Sequence, residues 1–368
     1  MAGQDRFAAL VDVMTAHGLD AIALVPGVNF RRIVGRDFHQ NERPLAVVVT
    51  RDGRQAAVVP HLEMASFATL KFDGDVFDWR DESGYEAAFE AAGKSLGRLG
   101  RVGVEGQRMR VFDFLALQRN LDCDGIVDAH AAISSLRLHK SERELASLRE
   151  AIRLSEAALE SALQQVRIGQ TETEIEAILV RELFAHGAEG LAFDPIVAAG
   201  ANSAQPHAQA RADYRVRAGD ALLFDFGGRH DGMNADITRT FFIDHVSDTD
   251  RDFYNTVLAA NETGRKTARA GITAGELDDA VQTVLEESSF AEFRRHKTGH
   301  GLGLDVHEAP QIMRGNDQAL EPGMVFTIEP GLYRLGETGV RIEDDVVVRA
   351  DGVEVLTRFP RELRIVGC

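Results

Sequence analysis

The sequence predicts two domains, an α/β domain over residues 1–135 and a strand-rich α+β domain over residues 136–368. Three observations carry this. A chain of 368 residues is long for one hydrophobic core. Short helical and strand patterns alternate through residues 1–135, with no ligand-rich cluster among them. Beyond residue 190, four carboxylates interrupt otherwise apolar strand patterns: Asp225, Asp236, Glu329 and Glu343.

In the first domain, Phe7, Leu10, Val11 and Met14 fall at helical spacing, and Gly18 ends the run. AIALV (21–25) reads as a short buried strand. LAVVVT (45–50) and AAVVP (56–60) flank Asp52-Gly53 and read as a hairpin. A helix near 61–71, a strand near 75–79, a helix near 85–97 and the strand RVGVEG follow. A helix near 109–120 then leads into GIVDAHAAI as the last strand. The polar loop GRDFHQNERP (35–44) has two readings. It is a solvated loop, or its Asp37 and Arg43 reach the two ends of a peptide.

The second domain opens on a capping box, in which Ser141 and Glu144 start a long helix running to about residue 167. Gly169 ends that helix, Thr171 with Glu174 caps the next, and Gly187 closes it. His207 lies in a loop rich in Gly, Asn, Ser and Pro. ALLFDFGG and NADITRTFF bracket residues 229–232 as two strands of a hairpin. Helices near 249–269 and 275–288 precede TGHGLGLDVHEAP (298–310), and MVFTIEPGLY and VRIEDDVVV form a last pair of strands.

Burying a carboxylate in an apolar strand is costly unless the charge is paired. An even-residue turn puts Asp225 and Asp236 on one face of the hairpin, opposite or diagonal, where they repel unless a cation lies between them. The alternative is a pair of strand-end aspartates partnered by a helix cap or by Arg239. Glu329 and Glu343 repeat the anomaly, each beside a glycine-rich turn, with Arg341 or Arg334 as the alternative partner. His300, between Gly299 and Gly301, can approach an ion without crowding. One imidazole with four carboxylates suits two Mn²⁺, Co²⁺ or Zn²⁺ ions better than a structural zinc, which would use cysteines. The chemistry such a pair supports is carbonyl hydrolysis.

The charge balance, 41 basic against 58 acidic residues and a net charge of −17, argues against a nucleic-acid surface. Cys123 and Cys368 make no disulfide framework, which fits a reducing compartment. The N-terminus has no signal-peptide pattern and no apolar run approaches membrane-span length, so a soluble cytoplasmic protein is expected.

The motifs DFGG…ADITRTF, TGHGLGLDVHEAP, TIEPGLY and VRIEDD, in this order, make the C-terminal half resemble the metal-dependent pita-bread peptidases of methionine aminopeptidase, aminopeptidase P and prolidase. The N-terminal domain resembles the creatinase-type domain of the Xaa-Pro branch, which methionine aminopeptidases lack. The resemblance implies a dinuclear site, with manganese first among the metals, and an Xaa-Pro dipeptidase, with an aminopeptidase on longer peptides as the alternative. It implies that Asp225 binds one ion, that Asp236 and Glu343 bridge both, and that His300 and Glu329 complete the second. Glu329 would also shuttle the proton. His207 would meet the substrate carbonyl, His307 the scissile imide bond, and His296 the substrate pocket. Arg341, on the substrate side, would steady the acidic cluster. A proline-containing short peptide is the implied substrate and a homodimer the implied assembly. Met233 departs from the pattern, standing where relatives often carry an aromatic residue. A metal-dependent lyase and a non-catalytic binding module on the same fold are the other readings. The retained set of five ligand positions weighs against the binding module.

Overall fold

The computed structural model describes residues 3–70 and 72–367. The chain divides into two compact units, Met1–Leu136 and Arg137–Cys368. The first unit is a six-stranded sheet of β1 (Ala21–Leu24), β2 (Ala46–Thr50), β3 (Gln55–Pro60), β4 (Asp75–Trp79), β5 (Leu99–Val104) and β6 (Cys123–Asp128), in the order β4-β3-β2-β1-β5-β6. Helices α1 (Gly3–His17), α2 (Val28–Val34), α3 (Met64–Ala68), α4 (Glu86–Leu96), α5 (Val111–Asn120) and α6 (His130–Ser134) accompany it. Because side chains alternate along a strand, Ile22, Leu24, Val47 and Val49 enter one core while Ala21, Ala23, Ala46 and Val48 enter another.

Several expectations are corrected here. Residues 61–71 do not form one helix; His61–Glu63 is a 3₁₀ turn leading into the five-residue α3, and Lys71 lies outside the described residues. GIVDAHAAI is not one strand. Asp128 accepts the amide of His130 at 2.9 Å and that of Gly106 at 3.0 Å, which turns the chain into α6. Helix α2 was not foreseen; it ends at Gly35 in the left-handed region, φ 95°. Of the two cysteines, Cys123 is a free thiol and Cys368 lies outside the described residues.

The second unit repeats one plan twice. Helices α7 (Glu142–Leu163) and α8 (Glu172–Ala185) precede a hairpin-based sheet, and α9 (Asp248–Thr267) and α10 (Ala274–Glu286) precede another. Reciprocal capping boxes start α7 at Ser141, α8 at Thr171 and α10 at Thr273. Helix α7 stops about a turn before the expected residue 167, and turn residues carry the chain to Gly169.

The strands are β7 (Gly190–Leu191), β8 (Ile196–Ala199), β9 (Ala221–Phe226), β10 (Gly228–His230), β11 (Met233–Asn234) and β12 (Ile237–Ile243) in the first half. The second half adds β13 (Gly299–Gly301), β14 (Glu308–Ile312), β15 (Val325–Ile328), β16 (Gly331–Arg334), β17 (Thr338–Arg341), β18 (Asp344–Arg349), β19 (Gly352–Val355) and β20 (Ile365–Val366). They form sheets ordered β20-β12-β9-β8, β14-β13-β15-β18-β19, β11-β10-β7 and β16-β17.

Both expected strand pairs are interrupted. The tip of the first, β10–β11, leaves its sheet to pair with β7. The crossing needs Gly227, where a Cβ would stand 1.7 Å from the Ala235 carbonyl oxygen. The second pair is two pairs, β15–β18 and β16–β17, separated at Glu329-Pro330, where proline has no amide to continue the ladder. Helices α7 and α8 cover Phe224, Phe226, Ile237 and Ile243, whereas α9 and α10 cover Phe326, Ile328, Val346 and Val348. No described helix is long and apolar enough to cross a membrane.

Candidate metal centre

The first half contributes two aspartates. Asp225 on β9 stands opposite Thr238 on β12, and Asp236 lies two residues ahead of Thr238. The two carboxylates are therefore diagonal neighbours on one face of the ladder. The Thr238 hydroxyl donates to Glu343 Oε2 at 2.6 Å, tying this face to the second half.

In the second half, the β15–β18 ladder ends at Ile328 opposite Asp344, and the β16–β17 ladder begins at Gly331 opposite Arg341. Glu329 and Glu343 both fall in that gap, where no cross-strand partner competes for their direction. The Glu343 amide donates to the Thr238 carbonyl at 3.1 Å, and Arg239 Nη1 donates to the Glu343 carbonyl at 2.6 Å. His300 sits on β13 between glycines that cannot be larger. A Cβ at Gly299 would lie 2.0 Å from the Thr327 carbonyl oxygen, and one at Gly301 would lie 2.1 Å from that of Ala309. The segment is further held by α10, since Asp278 accepts the Thr298 amide at 2.8 Å.

Asp236, His300 and Glu343 each present a ligand atom within 4.8 Å of the others, and all three are buried. His300 Nε2 lies 3.3 Å from Glu329 Oε1 and 3.7 Å from Asp236 Oδ2. Its Nδ1 faces the Gly301 carbonyl at 3.1 Å, which takes the ring proton and leaves the Nε2 lone pair aimed at the carboxylates. Burial, with the charges of Glu343 and Asp225, holds Asp236 well above the usual carboxylate range. Burial, with Glu329 and Asp225, does the same to Glu343. Burial raises Glu329 to about 7. His300 is pushed down to about 3 by burial and by His307.

Acceptors crowd together here with too few donors. Asp225 Oδ1 is buried with no hydrogen-bond partner, while its Oδ2 takes Arg341 Nη2 at 2.5 Å. A divalent cation fits this donor set of hard carboxylate oxygens and one neutral imidazole nitrogen, because Arg341 is a single positive charge among four carboxylates and leaves most of their repulsion standing. Of the alternative partners, Arg341 joins the cluster and the other two are engaged elsewhere. Arg239 pairs with Asp344 at 2.8 Å, and Arg334 pairs with Asp250 at 2.8 Å.

The cluster lines a cavity of 880 Å³ that also holds His207, His296, His307, Arg295, Lys297 and Arg341. His307 packs edge-on against His300 with ring centroids 4.2 Å apart. A polar chain runs from Arg341 Nη1 to the Tyr333 hydroxyl at 2.7 Å, and from that hydroxyl to His296 Nε2 at 2.7 Å. It ends with His296 Nδ1 on the Lys297 carbonyl at 2.8 Å. Burial, then Arg341, lowers His296 to about 4, so the neutral ring accepts from Tyr333.

Asp37 and Arg43 belong to the first unit. Asp37 is exposed, and Arg43 is committed to acids, with Nε on Asp81 at 2.9 Å, Nη2 on Asp81 at 2.8 Å and Nη1 on Glu42. Met233 is buried in the hydrophobic core beneath β9 and β12.

Sequence reasoning missed Thr238, Tyr333 and Lys297. Thr238 follows Asp236 by two residues on a strand, so the period of two could have found it. Tyr333, an aromatic residue in an apolar strand, reads as core until its hydroxyl is seen.

Residues 146–350 match the model of metallopeptidase family M24, and residues 6–139 match that of the creatinase/prolidase N-terminal domain. Among solved structures, a prolidase from Thermococcus sibiricus is 30% identical with a TM-score of 0.94, the match covering 100% of both chains. An Xaa-Pro dipeptidase from Bacillus anthracis is 30% identical with a TM-score of 0.90, covering 99% of this chain and 100% of that one. An X-Pro aminopeptidase from Thermotoga maritima is 31% identical with a TM-score of 0.84, covering 98% of this chain and 99% of that one.

Proposed function

The chain belongs to metallopeptidase family M24, and from that premise we propose that it hydrolyses the Xaa-Pro bond of short peptides as an Xaa-Pro dipeptidase. The observation that carries this reading is the convergence of Asp236, His300 and Glu343 within 4.8 Å in a cavity shared with three further histidines. Two similar structures bear the names Xaa-Pro dipeptidase and prolidase, which supports the substrate class. Proline's imide nitrogen has no N–H and its ring fixes φ, so the bond calls for a dedicated pocket.

In this reading Asp225, Asp236, His300, Glu329 and Glu343 would hold two divalent ions, with manganese the first choice. Such ions supply Lewis-acid polarisation of a carbonyl and an activated water at neutral pH. The chain's own groups do the rest. Glu329, which lines the cavity 3.3 Å from His300, would take the proton of the attacking water and deliver it to the leaving imide nitrogen. His207 donates to the substrate carbonyl oxygen as negative charge develops there. His307, held against His300, borders the scissile bond. Arg341 and Tyr333 fix the ring of His296 at the pocket wall.

A dipeptide presents its free carboxylate one residue from the scissile bond. Besides Arg341, which Asp225 and Tyr333 occupy, the cavity's cationic groups are Lys297, bonded to the neutral Gln311, and Arg295, bonded to backbone carbonyls, neither of them paired with an acid among the described residues. The carboxylate contact therefore moves from Arg43, already paired with Asp81, to this rim. A homodimer in the cytoplasm, consistent with the free thiol of Cys123, completes the reading.

The test is hydrolysis of Ala-Pro and Ala-Pro-Ala by metal-stripped protein resupplied with Mn²⁺, Co²⁺ or Zn²⁺. Cleavage of Ala-Pro alone is expected. Cleavage of the tripeptide would make it an aminopeptidase, and turnover of neither with metal bound would remove the peptidase reading.

A further inference from the structure

We propose that Glu172, the first residue of α8, is a positioning residue that sets the catalytic geometry of His207. Its carboxylate is fully buried, 0% exposed, and lies under the loop that carries the histidine. It does not cap its own helix, because Thr171 and Glu174 already form the capping box. Its oxygens instead accept from both ends of the loop. At the start they take the Ala199 amide at 2.7 Å and Asn202 Nδ2 at 2.9 Å. At the far end they take the Arg211 amide at 2.7 Å, Nε at 3.0 Å and Nη2 at 2.8 Å. Arg211 Nη2 also donates to the Ala199 carbonyl at 3.1 Å, which closes the base of the loop on itself.

A single carboxylate thus clasps residues 199 and 211, with His207 between them. On the other side, Ser203 Oγ accepts the Gly339 amide at 2.8 Å, and a Cβ at Gly339 would lie 2.0 Å from the Ser203 carbonyl oxygen. The loop is therefore pinned to α8 on one flank and to β17 on the other. His207 itself is exposed and lines the cavity, and no side-chain hydrogen bond to another described residue holds it, so the loop's backbone carries its placement. Misplacing a catalytic group by about 1 Å can cost about a hundredfold in rate. A buried glutamate satisfied by five donors from one loop holds that placement against such drift.

The inference rests on the reading of His207 as the group that meets the substrate carbonyl. A double-mutant cycle on the metal-loaded full chain separates the two. Wild type, Glu172→Gln, His207→Ala and the double variant are compared for kcat and KM on Ala-Pro, for bound metal and for thermal midpoint. In Glu172→Gln the amide NH₂ faces donors, so the clasp opens while the side-chain volume stays. The expected result is a fall in kcat of about tenfold to a hundredfold with His207 present and less than about twofold in the His207→Ala background, with metal content equal throughout. Equal losses in both backgrounds, or lower metal content in Glu172→Gln, would overturn the positioning role. Full activity in His207→Ala would overturn the reading of His207 and the inference with it. Should Glu172→Gln not fold, Arg211→Ala, which keeps both backbone contacts, must show the same dependence on His207 at a smaller size, and an additive loss there overturns the proposal equally.

Discussion

In the half of the C-terminal unit built on α7 and α8, Asp225 stands on the β9–β12 ladder and Asp236 immediately precedes its first rung, Ile237 opposite Phe226. In the half built on α9 and α10, Glu329 and Glu343 stand where two ladders part. The first arrangement fixes direction through the pleat of the strands. The second frees the side chains from the pleat and fixes them by stitching: Thr238 to the Glu343 carboxylate and backbone, Thr327 Oγ1 to Glu329 Oε1 at 3.3 Å, and the Glu329 amide to the Thr298 carbonyl at 2.8 Å. Shorter aspartates suffice on the ladder and at its end, and longer glutamates reach in from the gap. A pair set by one ladder and its end and a pair set by cross-links between elements thus converge on one cavity, and the second pair includes Glu329, the residue asked to move a proton.

Variants of each half should separate these roles, beginning with the largest effect. Glu343→Gln removes a carboxylate that the reading assigns to the ions. The several kcal/mol that metal polarisation contributes correspond to a loss on the order of a thousandfold in kcat/KM, measured on Ala-Pro, with lower metal content by elemental analysis.

Next is the seam between the halves. Arg239 is buried at 1% exposure and binds Asp344, itself fully buried. Arg239→Met leaves that charge underpaired and should lower stability by about 3 kcal/mol, read by denaturant unfolding. Asp344 is held below the usual carboxylate range despite its burial, chiefly by Arg239 and Arg361. An unchanged midpoint would show that Arg361 and Arg265 suffice.

The third prediction concerns pH. In the metal-stripped protein Glu329 has its folded pKa raised from an ordinary 4.5 to about 7, and Asp236 and Glu343 are raised as well. Between the unfolded and folded values the folded state binds more protons than the unfolded chain. Stability therefore falls as pH rises through that window. Bound cations remove the penalty, so the difference in thermal midpoint between loaded and stripped protein should widen from about pH 5 to about pH 8. A constant difference would contradict the crowded-carboxylate account.

The smallest effect is expected for Thr238→Val, which removes the hydroxyl bond to Glu343 and the one that Arg341 Nε makes at 3.0 Å. Metal affinity should weaken about tenfold, in a titration followed by activity, with little change in stability.

Much of this was legible in the sequence for one physical reason. A carboxylate inside an apolar strand is anomalous, and four such anomalies in two strand pairs with His300 nearby define a charge problem that a cation solves. The capping boxes at Ser141, Thr171 and Thr273 were equally local; the first two were read from sequence, and the third follows the same T-x-x-E pattern. What escaped depended on contacts distant in sequence. The departure of β10–β11 from its sheet follows from the approach of Gly227 to Ala235, which no hydrophobic period encodes. Glu172 looked like an ordinary first-turn acid, and its partners lie 27 to 39 residues away. Arg43 looked free to meet a carboxylate until Asp81, 38 residues on, proved to hold it.

The most direct test of the central claim, that the two halves together build a metal-dependent peptidase site, is to measure bound metal and Ala-Pro turnover in parallel as Mn²⁺ is titrated into stripped protein. The account predicts saturation at two ions per chain, with turnover appearing along the same titration and both lost in Glu343→Gln. Turnover by the stripped protein, or full turnover by Glu343→Gln, would contradict it.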